Sequence, residues 1–171
     1  MRLKTLDSAE DFELVARWLG EKENYQWLDF GAGRRLVTPV LLKLMTQRGR
    51  DVLRIFTADE EDVPIGVVGL NNVDREFRTA TAWIVLGDKS HARRAYATRA
   101  LSRILALGFR ELELHAINSW AVETNVYNSI RVAEAVGFRS VGRQRECHWI
   151  DGRPYDRLLI DLLASEHREK E

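Results

Sequence analysis

The amino-acid sequence predicts a mixed α/β fold whose sheet begins antiparallel and later contains some parallel pairing. Three observations lead to this prediction. Apolar residues change from helical spacing to strand patterning near residue 50, three short-linked β-rich runs follow, and two strand–helix–strand units come after them. The 171 residues are enough for one core, so we expect residues 1–171 to form a single domain.

The first 50 residues are predicted to be mainly helical. Ser8 and Asp11 have the spacing of a capping box, and Pro39 suits the first turn of a helix. The predicted elements are a short strand (2–6), a helix that follows Ser8 and ends at Gly20, an irregular segment (21–37) and a helix that begins at Thr38-Pro39 and ends near Gly49.

The rest of the chain is predicted to be an antiparallel meander followed by alternating helices and strands. The meander comprises β-rich runs at 52–58, 64–74 and 79–86. After it come a helix (95–112), a strand (115–122), a helix (129–136) and a hairpin of strands 139–150 and 155–163. Asp151-Gly152 in that hairpin suits a primed turn, and the charged tail 165–171 is expected to fray.

Composition excludes several classes of protein. Lys and Arg number 26, as do Asp and Glu, and this zero net charge argues against a nucleic-acid partner. The alternative is a local basic patch, made of His91, Arg93, Arg94, Arg99 and Arg103. Cys147 is the single cysteine, which excludes an intramolecular disulfide and a cysteine-based zinc site, and we expect no metal. With no signal-peptide core and no run of about 18 apolar residues, we expect a cytoplasmic protein without a membrane partner.

Residues 84–98 carry the most chemical information. A β-run ends at Leu86, a short basic loop of small residues follows, and an amphipathic helix begins at once. The unpaired N–H groups and the dipole of a helix start attract phosphate groups, and small side chains let a diphosphate approach closely. Arg93 and Arg94 could add charge-assisted contacts. An ordinary solvated loop between a strand and a helix is the alternative.

This loop resembles the acetyl-CoA loop of the GNAT N-acetyltransferase superfamily. Leu86-Gly87-Asp88-Lys89 matches the opening, and Tyr96-Ala97-Thr98 the close, of a branch that reads Ile-Gly-Asp-Lys-x-x-Trp-Gly-Lys-Gly-Tyr-Gly-Thr. Residues 65–70 resemble the third strand of the family, residues 128–138 its Asn-x-x-Ser-Ile-Arg helix, and residues 142–156 its closing hairpin. These blocks cover about residues 50–163 in the family's order. They are similar to the RimJ/RimL-like and the nucleotide-amino-sugar N-acetyltransferase branches.

The resemblance implies an α/β (α+β) GNAT-like fold with a mixed, mostly antiparallel central sheet and helices on both faces. It also implies acetyl-CoA-dependent N-acetylation of a primary amine on an amino sugar, a protein N-terminus or another small amine. The fourth and fifth strands would splay apart around the acetyl-pantetheine arm, and a homodimer is common in these branches. The implied cofactor-binding residues are Ile84, Val85 and Leu86 for that arm, Arg93, Arg94, Ala95, Tyr96, Ala97 and Thr98 for the pyrophosphate, and Asn125 or Asn128 for the family's asparagine.

The resemblance also indicates candidate catalytic residues. Ser129 aligns with a serine that contacts the CoA sulfur, which makes it a candidate proton donor, although a serine there could also cap a helix. Tyr127 could act as a phenolic acid, or its hydroxyl could simply cap a buried ring. The candidate general bases are Asp156, Glu123, Asp74 and His115. For the acceptor amine, the candidate contacts are Trp27, Phe30, Asn71, Asn72 and Asp74, with core packing as the alternative for the two aromatic rings.

Several residues depart from the family pattern. Arg93 and Ala95 stand where the loop usually has glycines, and Ala92 replaces the leading Gln or Arg. Thr81 replaces an acidic residue that is often found on the fourth strand, and Ala133 replaces a tyrosine acid. Of these departures, four favour the alternative that the chain is a catalytically weak GNAT-fold module that binds CoA or a peptide: Arg93, Ala95, Thr81 and Ala133.

Overall fold

The computed structural model describes residues 1–30, 37–58, 62–92 and 95–169, and at residues 126–128 the backbone only. In these residues, seven strands form one sheet in the order β1-β2-β3-β4-β5-β7-β6. The strands are β1 (Leu3–Lys4), β2 (Val52–Thr57), β3 (Pro64–Asp74), β4 (Thr79–Leu86), β5 (Ala116–Val122), β6 (Arg139–Ile150) and β7 (Arg153–Leu163). The helices are α1 (Ala9–Gly20), α2 (Lys22–Tyr25), α3 (Pro39–Gln47), α4 (Tyr96–Arg110) and α5 (Val126–Ala135).

The sheet is mostly antiparallel with helices on both faces, as predicted, and it separates two hydrophobic cores rather than the one expected. All strand pairs are antiparallel except β4 and β5, which are parallel. On one face, α1 and α3 contribute Val15, Leu19 and Leu42 to the core. On the other face, α4 and α5 contribute Ile104, Leu105 and Ala133. Alternate residues of a strand point to opposite faces, so the apolar residues of β2 and β3 serve both cores.

β4 and β5 pair over only three positions, from Thr79 opposite Ala116 to Thr81 opposite Asn118. At the last of these, Thr81 Oγ1 donates a hydrogen bond of 2.8 Å to Asn118 Oδ1. One residue further, Ser119 Oγ donates to the carbonyl oxygen of Ala82 at 2.8 Å. Beyond this point the two strands diverge, which is the splay that the resemblance implies.

Local signals in the sequence are confirmed where they act between near neighbours. The Asp11 N–H donates to Ser8 Oγ and the Ser8 N–H to Asp11 Oδ2, which completes the capping box of α1. Asp151 and Gly152 both adopt positive φ, +49° and +75°, as a type I′ hairpin turn requires.

Three predictions about the elements were wrong. Within the predicted irregular segment 21–37, residues Lys22–Tyr25 form the short helix α2, and residues 31–36 lie outside the described part of the chain. α5 begins at Val126 rather than at Ser129, because the 3₁₀ turn Glu123–Asn125 leads directly into it. Ser129 is therefore inside the helix and does not cap it. β7 begins at Arg153 rather than at residue 155.

The charged tail does not fray before residue 169. Glu166 forms an ion pair of 2.8 Å with Arg139, and Glu169 forms one of 2.6 Å with Arg110. Between them, the ring of His167 lies 5.3 Å from that of Phe109. These contacts join the tail to α4 and β6, and the sequence pattern contains no local signal for them.

Ala95 adopts a left-handed conformation, with φ +56° and ψ +14°, directly before α4. An L-residue with a Cβ pays about 1 kcal/mol or more in this region, whereas glycine does not. We therefore expect Ala95→Gly to raise the free energy of unfolding by roughly 0.5–1 kcal/mol in urea titrations. Ala97→Gly, two residues later in α4, is the matched control and should lower it, because φ is helical there. A loss of stability in Ala95→Gly would contradict this account.

Candidate functional site

A cavity of about 810 Å³ lies at the open end of the gap between β4 and β5. Residues from both layers line it. From the layer of α4 and α5 come Ala97, Leu101, Asn125, Ser129, Val132 and Ala133, and from the other layer Asn24, Trp27, Asp29, Phe30, Asn71 and Trp83. One cavity therefore connects the two faces of the sheet through its gap.

The edge of β4 that faces the gap carries main-chain groups without a strand partner. Ala82 turns its carbonyl oxygen toward β5, where Ser119 binds it. Hydrogen-bonding groups of alternate residues point to the same edge, so those of Ile84 and Leu86 also face the gap, whereas those of Val85 face β3. Lys89 Nζ donates to the Leu86 carbonyl oxygen at 2.6 Å. The N–H and C=O of Ile84 and the N–H of Leu86 can therefore pair with an amide-bearing chain laid in the gap, as a further strand would.

Asn125, in the 3₁₀ turn before α5, and Ser129, in α5, line the same cavity as this edge. Asn125 Nδ2 donates a hydrogen bond of 3.1 Å to Ser129 Oγ, and both residues line the cavity. The hydroxyl hydrogen of Ser129 has no acceptor among the described residues, so it can be donated to a group in the cavity. The wall around the pair is apolar and includes Leu101, Val132 and Phe138.

The loop between β4 and α4 begins with a tight turn and ends at a helix N-terminus. Asp88 Oδ1 accepts hydrogen bonds from the side chain and the N–H of Ser90, which lower the pKa of the Asp88 carboxyl. Tyr96, Ala97 and Thr98 form the first turn of the 15-residue α4, where N–H groups have no helical acceptor. Tyr96 is 3% exposed as a whole residue, and its side chain packs in the core. Arg93 and Arg94 lie outside the described residues.

On the face of α1 and α3, the segment 26–30 spans the wide end of the gap. The ring of Phe30 packs edge-on at 5.1 Å against Trp83 of β4. Trp83 Nε1 donates to Asn71 Oδ1 at 2.7 Å, and its ring lies over Gly69, where a Cβ would come within 2.8 Å of it. The other end of the segment is held by β6 and β7.

His148 holds the segment 26–30 at β6 and β7. Its Nε2 lies 2.7 Å from the Gln26 carbonyl oxygen, and because a carbonyl only accepts, Nε2 carries the hydrogen. Nδ1 is then the acceptor for Arg157 Nε and Nη2, at 3.1 and 2.9 Å. Arg157 Nη2 also binds Asp29 Oδ2 at 2.8 Å. Burial lowers the pKa of His148, which favours this neutral form.

Four candidate bases lie outside the cavity lining. Asp74 accepts hydrogen bonds from the N–H groups of Glu76 and Phe77 and so closes the β3–β4 turn. Glu123 accepts the Asp156 N–H, and His115 is exposed at the start of β5. Asp156 pairs with Arg143 at 2.9 Å. The N–H of Glu146 and then Arg143 lower the pKa of Asp156, away from the near-neutral value that suits a base.

The structure places the other predicted residues as follows. Trp27, Phe30, Asn71, Ile84, Val85, Leu86, Ala97, Asn125 and Ser129 line the cavity. The side chains of Tyr127 and Asn128 lie outside the described part of the structure. Sequence reasoning missed Glu23, Asp29, Lys89, Trp120, His148 and Arg157. Lys89 stands in a quoted motif, but no local pattern marks the other five.

Within the described ranges, no helix has both the length and the apolar composition to cross a membrane. The same residues contain no group of three or more His, Cys, Asp or Glu side chains that could hold a metal ion.

The amino-acid sequence is similar to the sequences of known acetyltransferases. Residues 1–139 match the family described as an acetyltransferase (GNAT) domain. An uncharacterized N-acetyltransferase of Bacillus licheniformis is 30% identical over 108 residues, which are 63% of this chain and 60% of that protein. The probable N-acetyltransferase YjcK of Bacillus subtilis is 33% identical over 116 residues, 67% and 62% of the two chains. The chain thus spans about 60% of the length of these curated relatives.

Solved structures share the fold. A spermidine N-acetyltransferase from Vibrio cholerae, in complex with CoA and spermine, has a TM-score of 0.82 and 20% identity over 96% of each chain. RimJ from Mycobacterium smegmatis, in complex with CoA-disulfide, has a TM-score of 0.77 and 22% identity over 96% of this chain and 82% of that one. At these identities the similarity concerns the fold.

The neutral state of His148 predicts a pH dependence of stability. Its native pKa is lowered, whereas in the unfolded chain it has its ordinary value of 6.5. As the pH falls below this value, the unfolded state takes up a proton that the native state resists, so the free energy of unfolding should fall until the native pKa is reached. His167, whose pKa is also lowered by burial, acts in the same direction.

Urea unfolding at several pH values between 7.5 and 5 measures this effect. We expect His148→Gln to show a shallower decline than the parent protein, with His167 supplying the remainder. His115→Gln, at the exposed start of β5, is the matched control. An unchanged slope in His148→Gln would show that His148 is not held neutral.

Proposed function

This chain belongs to the GNAT acetyltransferase family, and we propose that it catalyses acetyl-CoA-dependent N-acetylation of a primary amine. One observation carries the proposal. The open edge of β4 and the hydroxyl of Ser129 lie in the same cavity, and that cavity continues through the gap to the aromatic and polar residues of the other face. An acyl donor and an amine can thus meet from opposite sides of the sheet.

The donor fits the side of α4 and α5. Ile84 and Leu86 would bind the amide groups of a pantetheine arm through their free main-chain groups, and Leu101, Val132 and Ala133 would cover its apolar parts. The N–H groups at the start of α4, at residues 95–98, would hold the pyrophosphate. Arg93, Arg94 and Asn128 keep their predicted roles in the proposal. Acetyl-CoA supplies the acetyl group as a thioester.

The reaction requires polarisation of the thioester carbonyl and two proton movements. The Ile84 N–H is the proposed donor to the carbonyl oxygen, on which negative charge develops as the amine nitrogen attacks. As the C–N bond forms and the C–S bond breaks, Ser129 gives its hydroxyl proton to the thiolate and is reprotonated, through water in the cavity, by the proton that leaves the amine. Asn125 supports this, because a hydrogen bond donated to Ser129 Oγ makes the hydroxyl a better donor.

The proton of the amine needs an acceptor on the other face. Of the carboxylates that line the cavity there, Asp29 pairs with Arg157, whereas Glu23 has no ion pair among the described residues. Glu23 is therefore the proposed general base, which accepts the proton of the amine directly or through water. Asp156 has no role in this mechanism, because its pKa is lowered and it lies outside the cavity lining. A role for Tyr127 as a phenolic acid stays a prediction from the resemblance.

The acceptor is an amino sugar, a protein N-terminus or another small amine. Trp27, Phe30 and Asn71 line its side of the cavity, whereas Asp74 supports the neighbouring turn. The Vibrio cholerae structure with a similar fold is a spermidine N-acetyltransferase, so polyamines belong in the acceptor panel.

The proposal includes a cytoplasmic location, no nucleic-acid or membrane partner, and a possible homodimer. In the patch considered for nucleic acid, Arg103 Nη1 donates to the Met1 carbonyl oxygen at 2.9 Å, and Arg99 lies 5.9 Å from the centre of the Tyr96 ring. Two of its arginines thus have contacts within the fold, which supports a structural use of the patch.

A binding module that has lost efficient catalysis is the second candidate function, and Ala133 in place of a tyrosine acid favours it. The replacement of a loop glycine by Ala95 does not, because Ala95 adopts the left-handed conformation that such a glycine would allow.

Calorimetric titration with acetyl-CoA tests the donor site. We expect a micromolar Kd, about −8 kcal/mol, because a preformed edge and helix N-terminus face one cavity. Release of free thiol with glucosamine, alaninamide and spermidine then measures transfer. Binding without transfer to any amine would establish the binding module, and absence of binding by the folded protein would overturn the enzyme proposal.

Ser129→Ala tests the proton donor. We expect kcat to fall by about ten-fold or more, as loss of a general acid typically causes, while the Kd for acetyl-CoA changes by less than about two-fold. Ser140→Ala, at an exposed position on β6, is the matched control. Equal kcat values in the two variants would remove Ser129 from the mechanism.

A further inference from the structure

Arg157 is a firmly held cation on the acceptor side of the cavity. It is paired with Val122 in the β5–β7 register, at the wide end of the gap. Its guanidinium lies over the Trp120 ring, with the central carbon 3.9 Å from the ring centre, and its side chain is 14% exposed. Trp120 comes from β5 and Arg157 from β7, so the stack forms one wall of the gap opposite Trp83 of β4.

Two hydrogen bonds and an ion pair hold one edge of this guanidinium. Nε and Nη2 donate to His148 Nδ1, and Nη2 donates to Asp29. No acceptor is bound by Nη1 within the described residues, and Arg157 lines the cavity. A planar group fixed on one edge and stacked on a ring presents its remaining N–H donors in a set direction, without further loss of side-chain freedom.

The charge around Arg157 indicates which partner suits these donors. Asp29 neutralises the guanidinium, and His148 is neutral because its Nδ1 accepts the Arg157 N–H groups and therefore carries no hydrogen. A carboxylate brought to Nη1 would approach the Asp29 carboxylate, which is only 2.8 Å from the same guanidinium, and would be repelled by it. An uncharged carbonyl or hydroxyl oxygen accepts the same N–H groups without this repulsion.

We propose that Arg157 is a specificity-determining residue that binds, through Nη1, an uncharged oxygen close to the reacting amine of the acceptor. The inference rests on the proposed function, because the acceptor is the amine that would receive the acetyl group. Binding of that amine at Arg157 can nevertheless be measured without acetyl transfer. The oxygen belongs to the carbonyl that follows the amine of a peptide N-terminus or to a ring hydroxyl of an amino sugar. Plain alkylamines lack the recognised group.

The experiment compares matched amines with and without the oxygen. Alaninamide is paired with 2-aminobutane and glucosamine with cyclohexylamine, and alanine supplies a carboxylate at the same place. For each amine, kcat/KM is measured with acetyl-CoA, and the Kd is measured with the protein alone and saturated with CoA, where no transfer can occur. The variants are Arg157→Lys, Asp29→Asn and, as the matched control, Arg139→Lys on the exposed side of β6.

We expect Arg157→Lys to lower kcat/KM, and to raise the Kd, for the oxygen-bearing amines by about ten-fold or more. Lysine keeps the charge but loses the planar arrangement of N–H donors. The plain amines should change by less than about two-fold in the same variant. Asp29→Asn should raise the ratio of kcat/KM for alanine to that for alaninamide by about ten-fold, because the guanidinium is then no longer neutralised. Arg139→Lys should leave all values unchanged. Whichever pair responds, the alaninamide pair or the glucosamine pair, identifies the source of the oxygen.

The outcomes separate this inference from the proposed function. Equal losses for both members of each pair, or no loss, would overturn it and assign Arg157 to support of the fold, whether or not acetyl transfer is seen. Discrimination in Kd without transfer by the parent protein would confirm the recognition and overturn the enzyme proposal. Binding of no amine in either state, together with no transfer to any amine, would overturn both.

Discussion

The divergence of β4 from β5 is the constraint on which the rest of the structure depends. The two strands pair through Thr81 and Asn118 and then separate, so main-chain groups that a sheet would normally pair need other partners. Ser119 and Lys89 satisfy the carbonyl oxygens of Ala82 and Leu86. The groups that are left, at Ile84 and Leu86, face the cavity. A sheet with complete ladders would have had no such edge, and the two layers would have had no connection.

The two faces of the gap contribute different chemistry because different elements pack there. α4 and α5 bring a helix N-terminus, an apolar wall and the Asn125–Ser129 pair, which suit a long donor with a phosphate end. The other face brings aromatic rings and the fixed guanidinium of Arg157. The segment 26–30 joins the separated strands on that face, with Phe30 on Trp83 and with Gln26 and Asp29 on the hairpin of β6 and β7. That segment therefore closes the wide end of the gap and also helps to hold Arg157.

Much of the fold was predictable because its signals are local. The capping box at Ser8, the Thr38-Pro39 helix start and the Asp151-Gly152 turn each depend on residues within one turn of the chain. The errors arose where neighbours override such a signal. Ser129 lies inside α5 because a 3₁₀ turn begins the helix earlier, and residues 165–169 are held by Arg139 and Arg110, which are distant in sequence. The cavity residues contributed by the loop motif, by β4 and by the start of α5 could be predicted from patterns, whereas Trp120 of β5 and Arg157 of β7 could not.

The sequence by itself determined the strand and helix order and the resemblance to the GNAT superfamily, which the family match confirms. It also determined the positions of Ile84, Leu86 and Ser129 within recognisable blocks, and left the family's asparagine open between Asn125 and Asn128. Only the tertiary structure decided that Asp29, His148 and Arg157 meet on Trp120. The physical reason is that periodicity and capping are set by residues a few positions apart, whereas contacts among residues 29, 120, 148 and 157 depend on strand order and register. Strand order and register follow from the position of β7 between β5 and β6 and from the packing of the two layers.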